Sequence, residues 1–300
     1  MTRRGVTSRT KRGSGWTRIA LYASALAAAL SVVSCTGTTP PPAAPPASGD
    51  PGSRPAAPPP PAAAPLRYRY LTDLSDGAQA RRYGFNLVDL GPYRSLIDAL
   101  PQGERALVWL GGYSPDNCRF VTPDATIHQQ LSALAGDPKV AGYYLADEAD
   151  DALPRYGGHC PDVAAQIAAR NRLVHQLAPG PFTYEVVTEP GNFAAFARAT
   201  DVMGTDPYPC LVGRPCDWSQ IPRYIAALDA AHVARYWGLL QAFSYEKWRT
   251  PTRTELARMI SQWQHSRWQG VQVFSWEYQG WSLSSHPSLL AELSLLNLGK

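Results

Sequence analysis

Eight short apolar runs recur along the chain after residue 66, and this rhythm restricts the fold more than any other feature. They are YRYLTDL (68–74), FNLVDLG (85–91), RALVWLG (105–111), VAGYYLAD (140–147), PFTYEVVT (181–188), DVMGTDPYP (201–209), YWGLLQAFS (236–244) and GVQVFSWEY (270–278). Several are almost continuously hydrophobic, as expected of strands buried on both faces of a parallel sheet. Helical spacing fills the intervals. Ile127, Leu131 and Leu134 share a face, as do Val163, Ile167, Val174 and Leu177, and then Ile221, Tyr224, Ile225 and Leu228. Thr252 and Glu255, just after Pro251, make a capping-box pattern ahead of Leu256, Met259, Ile260 and Trp263. Asp124, Asp162 and Asp217 stand where caps or first-turn acids of the other helices belong. Eight strands alternating with helices over roughly 235 residues predict a (β/α)8 TIM barrel for residues 66–300. An open doubly wound sheet is the competing architecture, but no GxGxxG or P-loop follows the first run.

The residues before this domain speak of export. Arg3, Arg4, Arg9, Lys11 and Arg12 precede an apolar segment from Ile19 to Val33, which is shorter than the ~20 residues of a membrane-spanning helix. A basic region followed by a short apolar one is the pattern of a secretory signal peptide, here residues 1–34. Val32-Val33-Ser34-Cys35 resembles a bacterial lipobox, which implies cleavage before Cys35 and a lipid anchor on its thiol; an ordinary signal peptide is the plainer alternative. Residues 35–65 are rich in Pro and Ala, lack the material for a core, and read as a semi-rigid linker. The expected location is the outer face of the cytoplasmic membrane, held there as a lipoprotein. Most of the formal net charge of +4 lies in the leader, so the remaining domain is near neutral and nucleic acid is not an expected partner. A monomer is expected.

Four further cysteines, Cys118, Cys160, Cys210 and Cys216, suggest two disulfides in an exported protein, with three possible connectivities. Cys210 and Cys216 flank LVGRP and would close a tight loop, leaving Cys118 to pair with Cys160. Metal binding by these thiols is the lesser reading, since no CxxC is present. No metal or other cofactor is expected.

In a barrel of this kind the active site lies at the C-terminal strand ends. Those positions carry Asp73, Asp89, Trp109, Asp147, Glu148, Thr188, Asp206, Tyr208, Gln241, Phe243, Tyr245, Trp276 and Glu277. Acids and aromatic rings suit carbohydrate: rings stack on sugar faces, and carboxylates bind hydroxyls or transfer protons. A phosphate site would want Gly-rich turns or cations, a serine hydrolase a GxSxG elbow, and neither is found. No histidine falls at a strand end.

The ordered set VAGYYLADEAD, DVMGTDPYP, YWGLLQAFSYEKWRTPTRTEL and GVQVFSWEYQG resembles the glycosidase superfamily of TIM barrels, over roughly Val140 to Trp281. The resemblance implies a hydrolase of O-glycosyl bonds with a carbohydrate substrate. It makes Glu148 the general acid/base on strand four, with Asp147 orienting it or meeting a substrate hydroxyl. Trp109, Tyr208, Gln241, Tyr245 and Trp276 are expected to bind substrate, with Trp281 also in the cleft. The pattern is broken at strand seven, which ends in Gln241 where retaining members carry a glutamate nucleophile. The second carboxylate is therefore sought at Glu277, then Asp206, with Glu185 read as an inward core acid. The adjacent Asp147-Glu148 also resembles the substrate-assisted hexosaminidases and chitinase-like enzymes, in which Tyr208 or Tyr245 would assist. Asp150 and Asp151 are expected to form a solvated turn. A barrel that binds surface glycans without cleaving them is the functional alternative, and a structural envelope lipoprotein a third.

Overall fold

The computed structural model describes residues 66–154 and 157–298. The leader, Cys35 and the Pro/Ala-rich linker lie outside the described residues. Eight strands follow one another: β1 Tyr68–Leu71, β2 Leu87–Leu90, β3 Arg105–Trp109, β4 Val140–Asp147, β5 Phe182–Val186, β6 Val202–Thr205, β7 Tyr236–Gln241 and β8 Gly270–Phe274. Each pairs in parallel with its neighbours, and β8 pairs with β1 (Tyr68 with Gly270) to close the barrel. All eight expected runs are strands, and the open-sheet alternative is excluded by that closure.

A helix follows every strand: α1 Gly77–Arg82, α2 Arg94–Asp98, α3 Asp124–Leu134, α4 Val163–Leu177, α5 Phe193–Phe196, α6 Gln220–Ala230, α7 Arg253–Gln264 and α8 Pro287–Leu298. Their apolar stripes pack on the barrel wall as the spacing demanded, with Ile127, Leu131, Leu134, Val163, Ile167 and Val174 all buried. The α7 capping box forms: Thr252 Oγ1 accepts from Glu255 N at 3.2 Å, and Glu255 Oε2 accepts from Thr252 N at 2.8 Å. Glu255 also holds Arg249 at 2.6 Å, and that guanidinium draws the carboxyl down to about 2. Asp124 is a first-turn acid of α3, as expected, and pairs with Arg170 at 3.0 Å; Asp162 occupies the N-cap position of α4 but makes no side-chain cap bond.

Aromatic rings fill the barrel axis. Tyr68 contacts Phe182 and Trp237 near the base, Trp237 meets Tyr184 at 4.6 Å, Tyr184 meets Tyr144 at 4.9 Å, and Tyr144 meets Trp109 at 4.8 Å near the mouth. Such large side chains need small neighbours. A Cβ on Gly142 would stand 2.6 Å from the Phe182 ring, and one on Gly204 would collide with the Tyr184 hydroxyl. That hydroxyl donates to Gln272 Oε1, whose amide donates on to Thr72 Oγ1 at 2.9 Å, so the polar atoms on the axis are satisfied.

Two disulfides brace the loops at the C-terminal face, Cys118–Cys160 and Cys210–Cys216, the pairing favoured by loop length. Their sulfurs are bonded to each other and are not thiolates, which removes the lesser metal-binding reading of these cysteines.

Candidate active site

Strand β4 sets the site, and two bulges set β4. The register slips between Ala106 and Leu107 of β3, and again opposite Tyr144/Ala146, where Tyr144 pairs with Tyr184 but Ala146 pairs with Glu185. Simple alternation from the inward Tyr144 would turn Ala146 and Glu148 inward and Asp147 outward. The extra residue reverses this: Asp147 lies beside the inward Val186, and a one-residue shift of this kind flips every later side chain. Tyr144 and Asp147 thus both face the axis, and the Tyr144 hydroxyl donates to Asp147 Oδ1.

Glu148 follows in the left-handed region (φ 50), a conformation that costs a non-glycine residue ~1–2 kcal/mol. Its N–H is tied to the Val186 carbonyl at 3.1 Å. The turn swings its carboxyl sideways across β5 to the end of β6, into hydrogen-bond reach of the Asp206 carboxyl. Two neighbouring carboxyls repel when both are ionised, which favours the form that keeps a proton. Glu148 is pushed well above the usual carboxylate range, by burial first and then by the charges of Asp206, Asp147 and Asp151. Asp206 is raised as well, chiefly by burial. Asp147 is also raised by its surroundings, although the Tyr144 bond works the other way. Water reaches Asp147, yet protein encloses it on most sides, as befits the floor of a concave mouth.

A second acid pair sits across the mouth on β1 and β2. The Asp73 N–H donates to Asp89 Oδ1 at 3.1 Å, and Tyr70 donates to Asp89 from below. Burial raises Asp73 to about 7, helped by the charges of Asp89, Asp147 and Glu277, and raises Asp89 to about 6. The opposite wall, from the ends of β6, β7 and β8, is aromatic. Tyr208 packs on Phe243 at 5.1 Å and Trp248 at 6.1 Å, and Tyr278 on Phe274 at 4.9 Å and Tyr245 at 5.3 Å. Lys247 lies over the Trp248 ring at 4.5 Å. Among the described residues, no Lys or Arg forms an ion pair with Asp73, Asp89, Asp147, Glu148, Asp206 or Glu277.

Several expected positions are placed otherwise. Asp206, ranked behind Glu277, is the acid beside Glu148, whereas Glu277 stands exposed on the hairpin of Glu277–Tyr278 with Trp281–Ser282, where its charge reaches Asp73. Gln241 is wholly buried: its Oε1 accepts from Cys210 N at 2.9 Å, and its Nε2 donates to the carbonyls of Cys210 at 2.9 Å and Arg249 at 2.8 Å. Those bonds use its amide to hold the disulfide loop after β6, leaving nothing for substrate. Trp276 is 5% exposed and packs with Tyr83 at the end of α1, in the layer between barrel and helices rather than in the cleft. Trp281 stacks on His286 and donates to Thr250 Oγ1 at 2.9 Å. Glu185 points out of the barrel, in step with Ala146, and is not an inward acid. Asp150 is no part of a solvated turn. It is wholly buried and accepts from Thr188 N, Glu189 N and Asn192 Nδ2 (2.6 Å), fastening the loop after β4 to that after β5. Asp151 is the exposed one. Trp109, Tyr208 and Tyr245 do border the mouth. Sequence reading passed over Tyr144 and Tyr278; the i, i+3 spacing of Tyr144 and Asp147 carries a signal only once the bulge is known.

No known protein-family profile matches the chain, and a search of curated proteins finds no match. The fold does have counterparts among solved structures. A GH5_18 protein from Streptomyces cattleya, in complex with GlcNAc, superposes with a TM-score of 0.56 at 12% identity, over 79% of this chain and 82% of that one. The barrel is shared with glycoside hydrolases. A chitinase from Bacteroides thetaiotaomicron gives 0.54 at 9% identity, over 78% and 97%. The β-galactosidase of the psychrophilic Marinomonas ef1 gives 0.55 at 11%, over 77% of this chain; the chain spans 59% of that larger protein. At such identities the likeness is one of fold.

Proposed function

We propose that the barrel mouth hydrolyses a glycosidic bond in a carbohydrate outside the cytoplasm, with Glu148 as the proton donor. One observation carries the reading: Glu148, pushed well above the usual carboxylate range by burial and by Asp206, stands beside Asp147, a carboxyl fixed toward the axis by Tyr144. A general acid must hold its proton at working pH, and burial beside a second acid achieves that. Asp206 shares the Glu148 proton. Its part is therefore to raise Glu148 and keep the proton there, rather than to serve as the opposed carboxylate of a retaining or inverting pair. Asp147 is the carboxylate that faces the positive charge developing at the sugar ring. The wall of Tyr208, Tyr278 and Trp248, backed by the buried Phe243, supplies faces for the sugar to stack on. A lipid anchor at Cys35 would hold the enzyme at the outer membrane face.

The test is Glu148→Gln, screened with the parent against oligosaccharides and aryl glycosides. A loss of at least ~10²-fold in kcat, restored for aryl glycosides whose leaving group needs no proton, supports the role. Unchanged turnover defeats it. Gln241 motivates the second reading, a barrel that binds glycans without cleaving them, because β7 offers no carboxylate to the mouth. Saturable oligosaccharide binding with no product at any pH would favour it.

A further inference from the structure

The opposite end of the barrel has a concavity of its own, remote from the chemistry of the mouth. A cavity of about 290 Å³ opens at the N-terminal strand ends, floored by Tyr68, Phe182 and Trp237 and bordered by Arg67, Arg105 and Arg235. This end of a (β/α)8 barrel ordinarily serves stability, so three cations around an apolar floor require a reason.

Among the described residues, none of these guanidiniums holds a close carboxylate. Arg235 is 3.8 Å from Asp201 Oδ1, and the other oxygen of Asp201 is taken by His175 at 2.8 Å and the Thr183 N–H at 2.9 Å. Arg67 lies over the Tyr68 ring at 5.2 Å. Arg105 donates to the Val140 carbonyl at 3.0 Å and to the Tyr68 hydroxyl at 3.4 Å, and its Nε has no acceptor. Elsewhere Arg170, Arg249, Arg253 and Arg267 hold carboxylates at 2.6–3.0 Å. The basal three are short of anion by that standard. Guanidinium forks match the several acceptor oxygens of a phosphate, and a multiply charged anion answers three cations better than a carboxylate does. The aromatic floor gives the carbon part of an ester a surface to lie on.

We propose that this basal pocket binds a phosphate group, free or as the head of a phosphate ester, at a site separate from the mouth. Leu66, where the described residues begin, lies at this same end just before β1. The head group of an anionic lipid, which the anchor proposed at Cys35 would bring near, is one source, and soluble phosphate the other.

The test uses the full chain and Arg67→Ala/Arg235→Ala, two exposed positions whose loss leaves the core intact. Calorimetric titration and thermal midpoints are measured with inorganic phosphate and glycerol phosphate, against acetate at equal ionic strength. Saturable binding by the parent that weakens at least about tenfold in the double variant, with unliganded midpoints alike, is expected from losing two charge-assisted bonds. Vesicles of phosphatidylglycerol against phosphatidylcholine separate the sources. A preference for the anionic vesicle that the double variant loses supports the proposal and assigns a lipid head group; phosphate binding without that preference supports it and assigns a soluble ester. No saturation, equal response of both proteins, or acetate acting as well as phosphate would overturn it.

Discussion

The hydroxyl of Tyr144 is the smallest change that separates positioning from packing at the mouth. Its ring is 4% exposed and lies between Trp109 at 4.8 Å and Tyr184 at 4.9 Å, so Tyr144→Phe keeps the volume and both ring contacts. Only the bond to Asp147 Oδ1 is lost. A hydrogen bond to an ionised acceptor contributes about 1.5–3 kcal/mol net. With ~1.36 kcal/mol per tenfold in rate, kcat/KM should fall by about 10- to 150-fold if Asp147 is the carboxylate that meets the developing charge. The same bond holds Asp147 down against the burial that raises it, so its loss lets the Asp147 carboxyl rise further. Asp147 has to be ionised to act, and the acidic limb of the pH–rate profile should therefore move to higher pH. The assay is kcat/KM across pH on an oligosaccharide that the parent cleaves, beside urea unfolding of both proteins. Activity within twofold of the parent and an unmoved acidic limb would refute the role given to Asp147. A rate loss matched by a large stability loss would refute the claim that only a bond was removed.

Asp206→Asn removes a negative charge that raises Glu148, so the proton donor titrates lower and the alkaline limb of the same profile should shift to lower pH. Gln241→Leu should destabilise by about 2–4 kcal/mol in urea, because it strands the N–H of Cys210 and the carbonyl of Arg249, while the Cys210 carbonyl keeps its bond from the Arg249 N–H. A Gln241 that served substrate would instead show a raised KM with stability unchanged. For Asp73, raised to about 7, the folded chain holds a proton that the unfolded chain releases near pH 4. The favourable contribution of that proton is present at low pH and disappears as pH climbs through about 7. Asp73→Asn should accordingly raise the thermal midpoint at pH 8 and leave it nearly unchanged at pH 4; a lower midpoint at pH 8 would show that the ionised form is the one the fold prefers.

The barrel was legible because its strands are buried on both faces, which makes each run hydrophobic whatever its register. The capping box of Thr252 and Glu255 was readable for a related reason: its partners lie within one turn. Side-chain direction was not readable. Period-two reasoning assumes an unbroken strand, and the bulges of β4 turn Asp147 inward without any residue type that announces them. Long-range bonds were equally hidden. Nothing near Asp150 foretells that Asn192 will bury it, and nothing near Gln241 foretells that Cys210 and Arg249 will use up its amide. Asp206 and Glu277 both end apolar runs, but only the left-handed turn at Glu148 decides which acid it meets.

The column of rings along the axis makes the barrel an optical instrument. Trp237 stands at its base and Trp109 near its mouth, with Tyr184 and Tyr144 in contact between them. The tyrosines are close enough to pass excitation to the indole at either end, so emission carries a signature of whichever end is occupied. A sugar at the mouth perturbs the Trp109 component and an anion at the base the Trp237 component, and the difference between the parent and a Trp109→Phe or Trp237→Phe variant isolates each from the seven other tryptophans. Because packed side chains fill the space between, the two signals should vary independently within a single molecule.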